Sequence, residues 1–138
     1  MPSRSTVERA KEDLHEGKSP STAAGEFVHE EIEHVRRGKH GARSPQQAIA
    51  IGLSKARRAG IPLRPPAKGK AKEKTRKSAE TAYRKGQAGA KKPAKKYSRS
   101  REQVLKRAPR STVSHEALSE QARRAARRRK ASARRASA

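Results

Sequence analysis

Apolar positions recur at helical spacing through the first 60 residues and become sparse afterwards. Between Ser19 and Gly38, Ala24, Phe27, Val28, Ile32 and Val35 form one face, with Glu26, Glu30 and Glu33 mostly on the other. Ser19 is suited to cap this helix, and Pro20 sits at the first helical position, where its missing N–H costs nothing. The pattern predicts a helix over 20–37. Ser44-Pro45 repeats the start signal, and Gln47 completes a capping box. Ala48, Ile49, Leu53 and Ala56 make a stripe with Ile51 beside it. Gly60, Ile61 and Pro62 supply a left-handed stop, which predicts a helix over 45–59. A weaker helix is expected near 6–16, from the Ser5/Glu8 box to Gly17, with Val7, Ala10 and Leu14 as its apolar residues.

Beyond Pro65 this pattern fails. Val, Ile, Leu, Met and Phe number twelve in residues 1–64 and four in 65–138. Ordering a residue costs roughly 1–2 kcal/mol of backbone entropy, and four such side chains do not offset that over 74 residues. The expected architecture is therefore all-α, a small two- to three-helix head (1–64) with a largely disordered, locally helical basic tail (65–138). Two start signals interrupt the tail. Ser100 with Gln103 points to a helix near 101–108, stopped by Pro109. Ser114, with Val113 and Leu118 spaced as a hydrophobic staple, points to one near 115–130. That last segment is alanine and arginine nearly all round, so it is expected to become helical only against a polyanion.

Charge sharpens the division. Residues 1–35 carry eight acids and four bases; residues 36–138 carry five acids and 33 bases. A net charge of +24 concentrated in this way makes a polyanion the expected partner. With no cysteine, disulfides and thiolate metal sites are excluded. No apolar run reaches the roughly 18 residues of a membrane span, and the first residues lack a secretory apolar core. A bacterial cytoplasmic, nucleoid location and no membrane are expected.

The loop Gly38-Lys39-His40-Gly41-Ala42-Arg43 runs into a capped helix start, an arrangement able to clamp a phosphate through backbone N–H groups. Lys39, His40, Arg43, Lys55, Arg57 and Arg58 are the head's candidate nucleic-acid contacts. Lys91, Lys92, Lys95, Lys96, Arg123, Arg124, Arg127, Arg128 and Arg129 are the tail's. His29 and His34 do not make a metal site, because residues five apart stand about 140° apart around a helix. No metal, cofactor or catalytic residue is assigned, since no nucleophile, base and orienting acid are suitably spaced. The acidic face of Glu26, Glu30, Glu31 and Glu33 is a candidate partner for Arg57, Arg58 or the cationic tail. Arg129-Lys130-Ala131-Ser132 and Arg134-Arg135-Ala136-Ser137 have the form of basophilic kinase sites.

Two blocks, Ser21 to Ile32 (STAAGEFVHEEI) and Gly38-Lys39-His40-Gly41 through Gln47 to Gly60 (QAIAIGLSKARRAG), resemble a family of small, highly basic bacterial proteins. Their shared head is a domain of unknown function. The resemblance covers about residues 19–64 and implies DNA binding, with no ligand residues attached. The run from Lys92 to Lys96 is similar in composition to linker-histone-like tails.

These observations give an expected non-enzymatic, sequence-independent DNA-binding protein of histone-like or nucleoid-associated type. With only Phe27, Tyr83 and Tyr97 as aromatic residues, base stacking is not its mode. RNA or ribosome association is one alternative. Another is an adaptor whose head binds a protein partner through Ala24, Val28 and Ile49, or a second copy of itself. A helix-turn-helix is disfavoured by the six-residue connection Gly38–Arg43.

Overall fold

A computed structural model describes residues 2–89 and 95–137, with side-chain surroundings for 2–89 and 99–136. Its α-helices among those residues are Arg4–His15 (α1), Pro20–Arg36 (α2), Pro45–Arg58 (α3), Glu73–Gln87 (α4), Lys95–Lys106 (α5) and His115–Ser137 (α6). A 3₁₀ turn, Ser111–Val113, precedes α6, and there is no strand among the described residues. The expectation of a two- to three-helix head with a largely disordered tail is thereby overturned. Beyond residue 65 the described residues form three α-helices, and the segment before α6 returns to the head.

Local chemistry explains the helix ends. Ser3, rather than Ser5, caps α1, accepting from the Thr6 N–H at 3.2 Å. Ser19 and Ser44 cap α2 and α3, accepting from Thr22 and Gln47. Gly17, Gly38 and Gly60 adopt positive φ and close the three helices alike. At Gly60, the Ile61 N–H reaches the Ala56 carbonyl at 3.1 Å and the Gly60 N–H reaches that of Arg57 at 3.1 Å, the Schellman pattern. At α4 the capping position is Lys72, with no side-chain capping bond, and the sequence therefore carried no start signal.

Few large side chains hold the fold together. Phe27 is fully buried among Ala10, Ala23, Ala24, Ala56 and Ile61, with Val7, Leu14, Leu53, Ala59 and Leu63 packed around them. A second cluster joins Val35, Ala42, Ala48 and Val113, with Ile32 beside it. Val113 belongs to the tail, so the tail completes a core that the head begins. Of the residues expected to meet a partner, Ala24 is buried within the chain, while Val28 and Ile49 are half-buried.

Small residues let backbones meet where side chains cannot fill the space. α3 is the central element, packed against α2 and α4 and touched by α6. At the α2–α3 crossing, a Cβ on Gly52 would stand 2.6 Å from Val28 Cα. On α4, Ala79 and Ala82 are buried, and a Cβ on Gly86 would fall 1.6 Å from the Arg57 carbonyl oxygen. Gly25, by contrast, faces open space.

Helix propensity favours alanine over glycine by about 1 kcal/mol, so the two helical glycines should respond oppositely to substitution. Gly25→Ala should raise stability by up to about 1 kcal/mol. Gly52→Ala should lower it by about 1–2 kcal/mol, overpacking outweighing propensity. Chemical denaturation of both variants checks the sign.

Candidate nucleic-acid interface and a buried carboxylate–imidazole cluster

The loop between α2 and α3 was expected to offer free amides to phosphate. Those amides are occupied. Gly41 N–H donates to the Leu105 carbonyl at 2.7 Å, and Ala42 N–H donates to that of Pro109 at 2.7 Å. The Arg43 N–H is taken by Gln47 Oε1 at 2.6 Å, and the Gln47 N–H by Ser44 Oγ. Thr112 Oγ1 donates to the Ala42 carbonyl at 2.6 Å. A Cβ on Gly41 would overlap Ala108, so the approach needs glycine. The phosphate clamp is replaced by a seat for the chain's own residues 105–113.

Arg110 strengthens that seat. Its guanidinium donates to the carbonyls of Val35 at 3.4 Å and Arg36 at 3.1 Å, and lies against Gly38. Helix C-termini leave carbonyls without partners and favour cations; the tail supplies both remedies in one side chain. Neither Arg110 nor Thr112 was singled out from sequence. The available signal was Val113, one of four large apolar residues in the tail, placed just after them.

The head's six candidate cations separate into two groups. Lys39, Arg43 and Arg58 are exposed. Arg57 is buried; its Nε donates to the Leu63 carbonyl at 3.1 Å and its terminal nitrogen to that of Arg64 at 3.4 Å. Burial lowers its pKa, and those carbonyls, not phosphates, stabilise its charge. Lys55 donates to Glu31 Oε2 at 2.6 Å, and His40 Nε2 lies 2.7 Å from Glu31 Oε1. Arg57, Lys55 and His40 are thus engaged with partners inside the head.

The acidic face is likewise satisfied within the head. Glu26 pairs with Arg9 at 2.9 Å, Glu33 with Arg36 at 3.5 Å, and Glu30 accepts from the Ser3 N–H at 2.8 Å. No pairing with Arg57, Arg58 or the tail was found for these glutamates among the described residues, so tail docking runs through Arg110 and Val113 instead.

Glu31 is the exception to the solvated pattern, at 1% exposure. It stands four residues from both Phe27 and Val35 and therefore shares their buried face. Around it are Lys55, His40 and His34, whose Nδ1 lies 3.9 Å from Oε2. The His34 and His40 rings meet edge to face, centroids 6.1 Å apart. His34 has its pKa lowered chiefly by burial, with Glu31 opposing that shift.

In the tail, α6 was expected to need a polyanion to become helical; it is helical over 23 residues, capped by Ser114 Oγ accepting the Ala117 N–H at 3.2 Å. Its Arg123, Arg127, Arg128 and Arg129 are exposed and have no acidic partner among the described residues, while Arg124 pairs with Glu120 at 2.5 Å. Lys91 and Lys92 lie outside the described residues, as do the side chains of Lys95 and Lys96. No helix among the described residues is long and apolar enough to cross a membrane.

No family model matches the chain, and neither a curated protein nor a solved structure matches it. The family resemblance of residues 19–64 rests on those residues alone.

The adjacent arginines at the end of α3 should separate cleanly. Arg57→Ala should lower stability by about 1.5–3 kcal/mol, because its charged hydrogen bonds disappear and the carbonyls stay unpaired. Arg58→Ala should change stability by no more than about 0.5 kcal/mol. Thermal or urea unfolding of the pair distinguishes the structural arginine from the exposed one.

Proposed function

We propose that this chain binds duplex DNA through its phosphate backbone, without reading sequence, as a nucleoid-associated protein of histone-like type. The observation that carries the reading is α6, a helix ~34 Å long at 1.5 Å per residue, with Arg123, Arg127, Arg128 and Arg129 exposed and unpaired with acids among the described residues. Lys39, Arg43 and Arg58 extend the same charge across the head. Such a surface releases counterions on meeting a polyanion, which is the main source of sequence-independent affinity. Phe27 is buried, which leaves the tail tyrosines as the remaining aromatic residues and argues against base stacking. The role carries no catalytic step and no cofactor, and its setting would be a bacterial cytoplasm.

Neutralising about eight phosphates predicts that affinity falls roughly 10⁴-fold between 50 and 200 mM salt. Replacing Arg123, Arg127, Arg128 and Arg129 with glutamine in the full chain should flatten the slope of log affinity against log salt by about 0.9 for each phosphate no longer neutralised. Fluorescence titrations on duplexes of two unrelated sequences and on single-stranded RNA read this directly. A near-zero salt slope, or an unchanged slope in the glutamine variant, contradicts backbone binding through α6. Tighter binding of RNA at matched salt favours the RNA-associated alternative.

A further inference from the structure

The buried cluster at the end of α2 has a defect that the hydrogen bonding of the head does not repair. Glu31 Oε1 is fully buried and has no hydrogen-bond donor. His40 Nε2 is 2.7 Å away, but it is not directed at Oε1 as a hydrogen bond requires. The other ring nitrogen, Nδ1, lies 2.9 Å from the Gly41 carbonyl oxygen. A carbonyl only accepts, so Nδ1 donates to Gly41, and Nε2 and the carboxylate oxygen face each other without a hydrogen bond between them.

We propose that Glu31, His34 and His40 bind one divalent transition-metal ion of the zinc class. One carboxylate oxygen and two imidazole nitrogens, with a fourth position left for water, form a donor set that suits zinc and its neighbours. The three donor atoms lie within 4.8 Å of one another; tetrahedral coordination at about 2.0–2.1 Å puts donors roughly 3.3 Å apart, so small side-chain rotations close the site. The surroundings orient the ligands as outer partners do. Lys55 holds Glu31 Oε2 at 2.6 Å, leaving Oε1 for the ion. The Gly41 carbonyl fixes the His40 tautomer. Glu30 Oε1, 3.7 Å from His34 Nε2, stands behind the ring that would present Nδ1. The charged groups facing the cluster are Glu30 from α2, Lys55 from α3 and Lys39 from the loop; the two lysines temper affinity without occupying the donor atoms.

His29 and His34, the pair weighed from sequence, do not meet at one ion. The second imidazole comes instead from His40, beyond the end of the helix.

The test is titration of the metal-stripped full chain with Zn²⁺ against a competing chelator, for the native sequence and for His34→Ala, His40→Ala and His29→Ala. The expected result is one ion per chain, with affinity reduced in the first two variants by at least the roughly 10–100-fold that loss of an outer partner costs. His29→Ala should match the native chain. Because His40→Ala removes a buried contact and risks unfolding, the native chain is also followed by NMR. Zn²⁺ should move the ring signals of two of the five histidines, His34 and His40. No saturable one-to-one binding overturns the proposal. So does affinity indifferent to the first two variants, or ring shifts confined to His15, His29 and His115.

Discussion

Shortage of large apolar side chains is the constraint on which this structure rests. A chain with one phenylalanine and no tryptophan cannot fill a thick core. It brings backbones together instead. Three glycines mark the places: Gly52 against Val28, Gly86 against the Arg57 carbonyl and Gly41 against Ala108. Each joins elements that side-chain packing alone would hold weakly. At the last of them the contact is made by hydrogen bonds between main chains, which need no apolar residue at all.

Placement of the charges follows from the same constraint. Close helix packing on an alanine-rich core leaves few interior positions, and two charged residues occupy some of them. Glu31 lies on the apolar face of α2 and is compensated by Lys55 from α3. Arg57 points inward and organises the irregular segment after α3 through two carbonyls. Arg110 reaches back from the tail to the Val35 and Arg36 carbonyls at the end of α2. Much of the positive charge near the head is therefore bound up in holding the chain together. α6 carries Arg123, Arg127, Arg128 and Arg129 without acidic partners among the described residues, and those cations underlie the proposed binding arm.

The sequence made the capped elements legible because serine, proline and glycine act locally. Ser19-Pro20, Ser44-Pro45, Gly38 and Gly60 stand at the observed ends of α2 and α3. It hid α4, whose capping position Lys72 makes no side-chain capping bond and whose buried residues are alanines. It also hid the return of the tail, since bonds from Gly41 and Ala42 to main-chain carbonyls have no side-chain signature. Counting large apolar residues led to a disordered tail for that reason. In the candidate site, Lys39, Arg43 and Arg58 are surface cations as expected, while His40, Lys55 and Arg57 were read by type alone. Glu31 could have been recognised by its register with Phe27 and Val35. Its convergence with His40 depended on a loop path that no periodicity encodes.

The central claim is that residues 105–113 are seated on the loop between α2 and α3, leaving α6 as the cationic arm. Hydrogen exchange at the Gly41 and Ala42 amides, in the full chain at low salt and without nucleic acid, reads it most directly. The account predicts protection of both amides comparable to that in the middle of α3. Exchange of both at the rate of an open loop would contradict it.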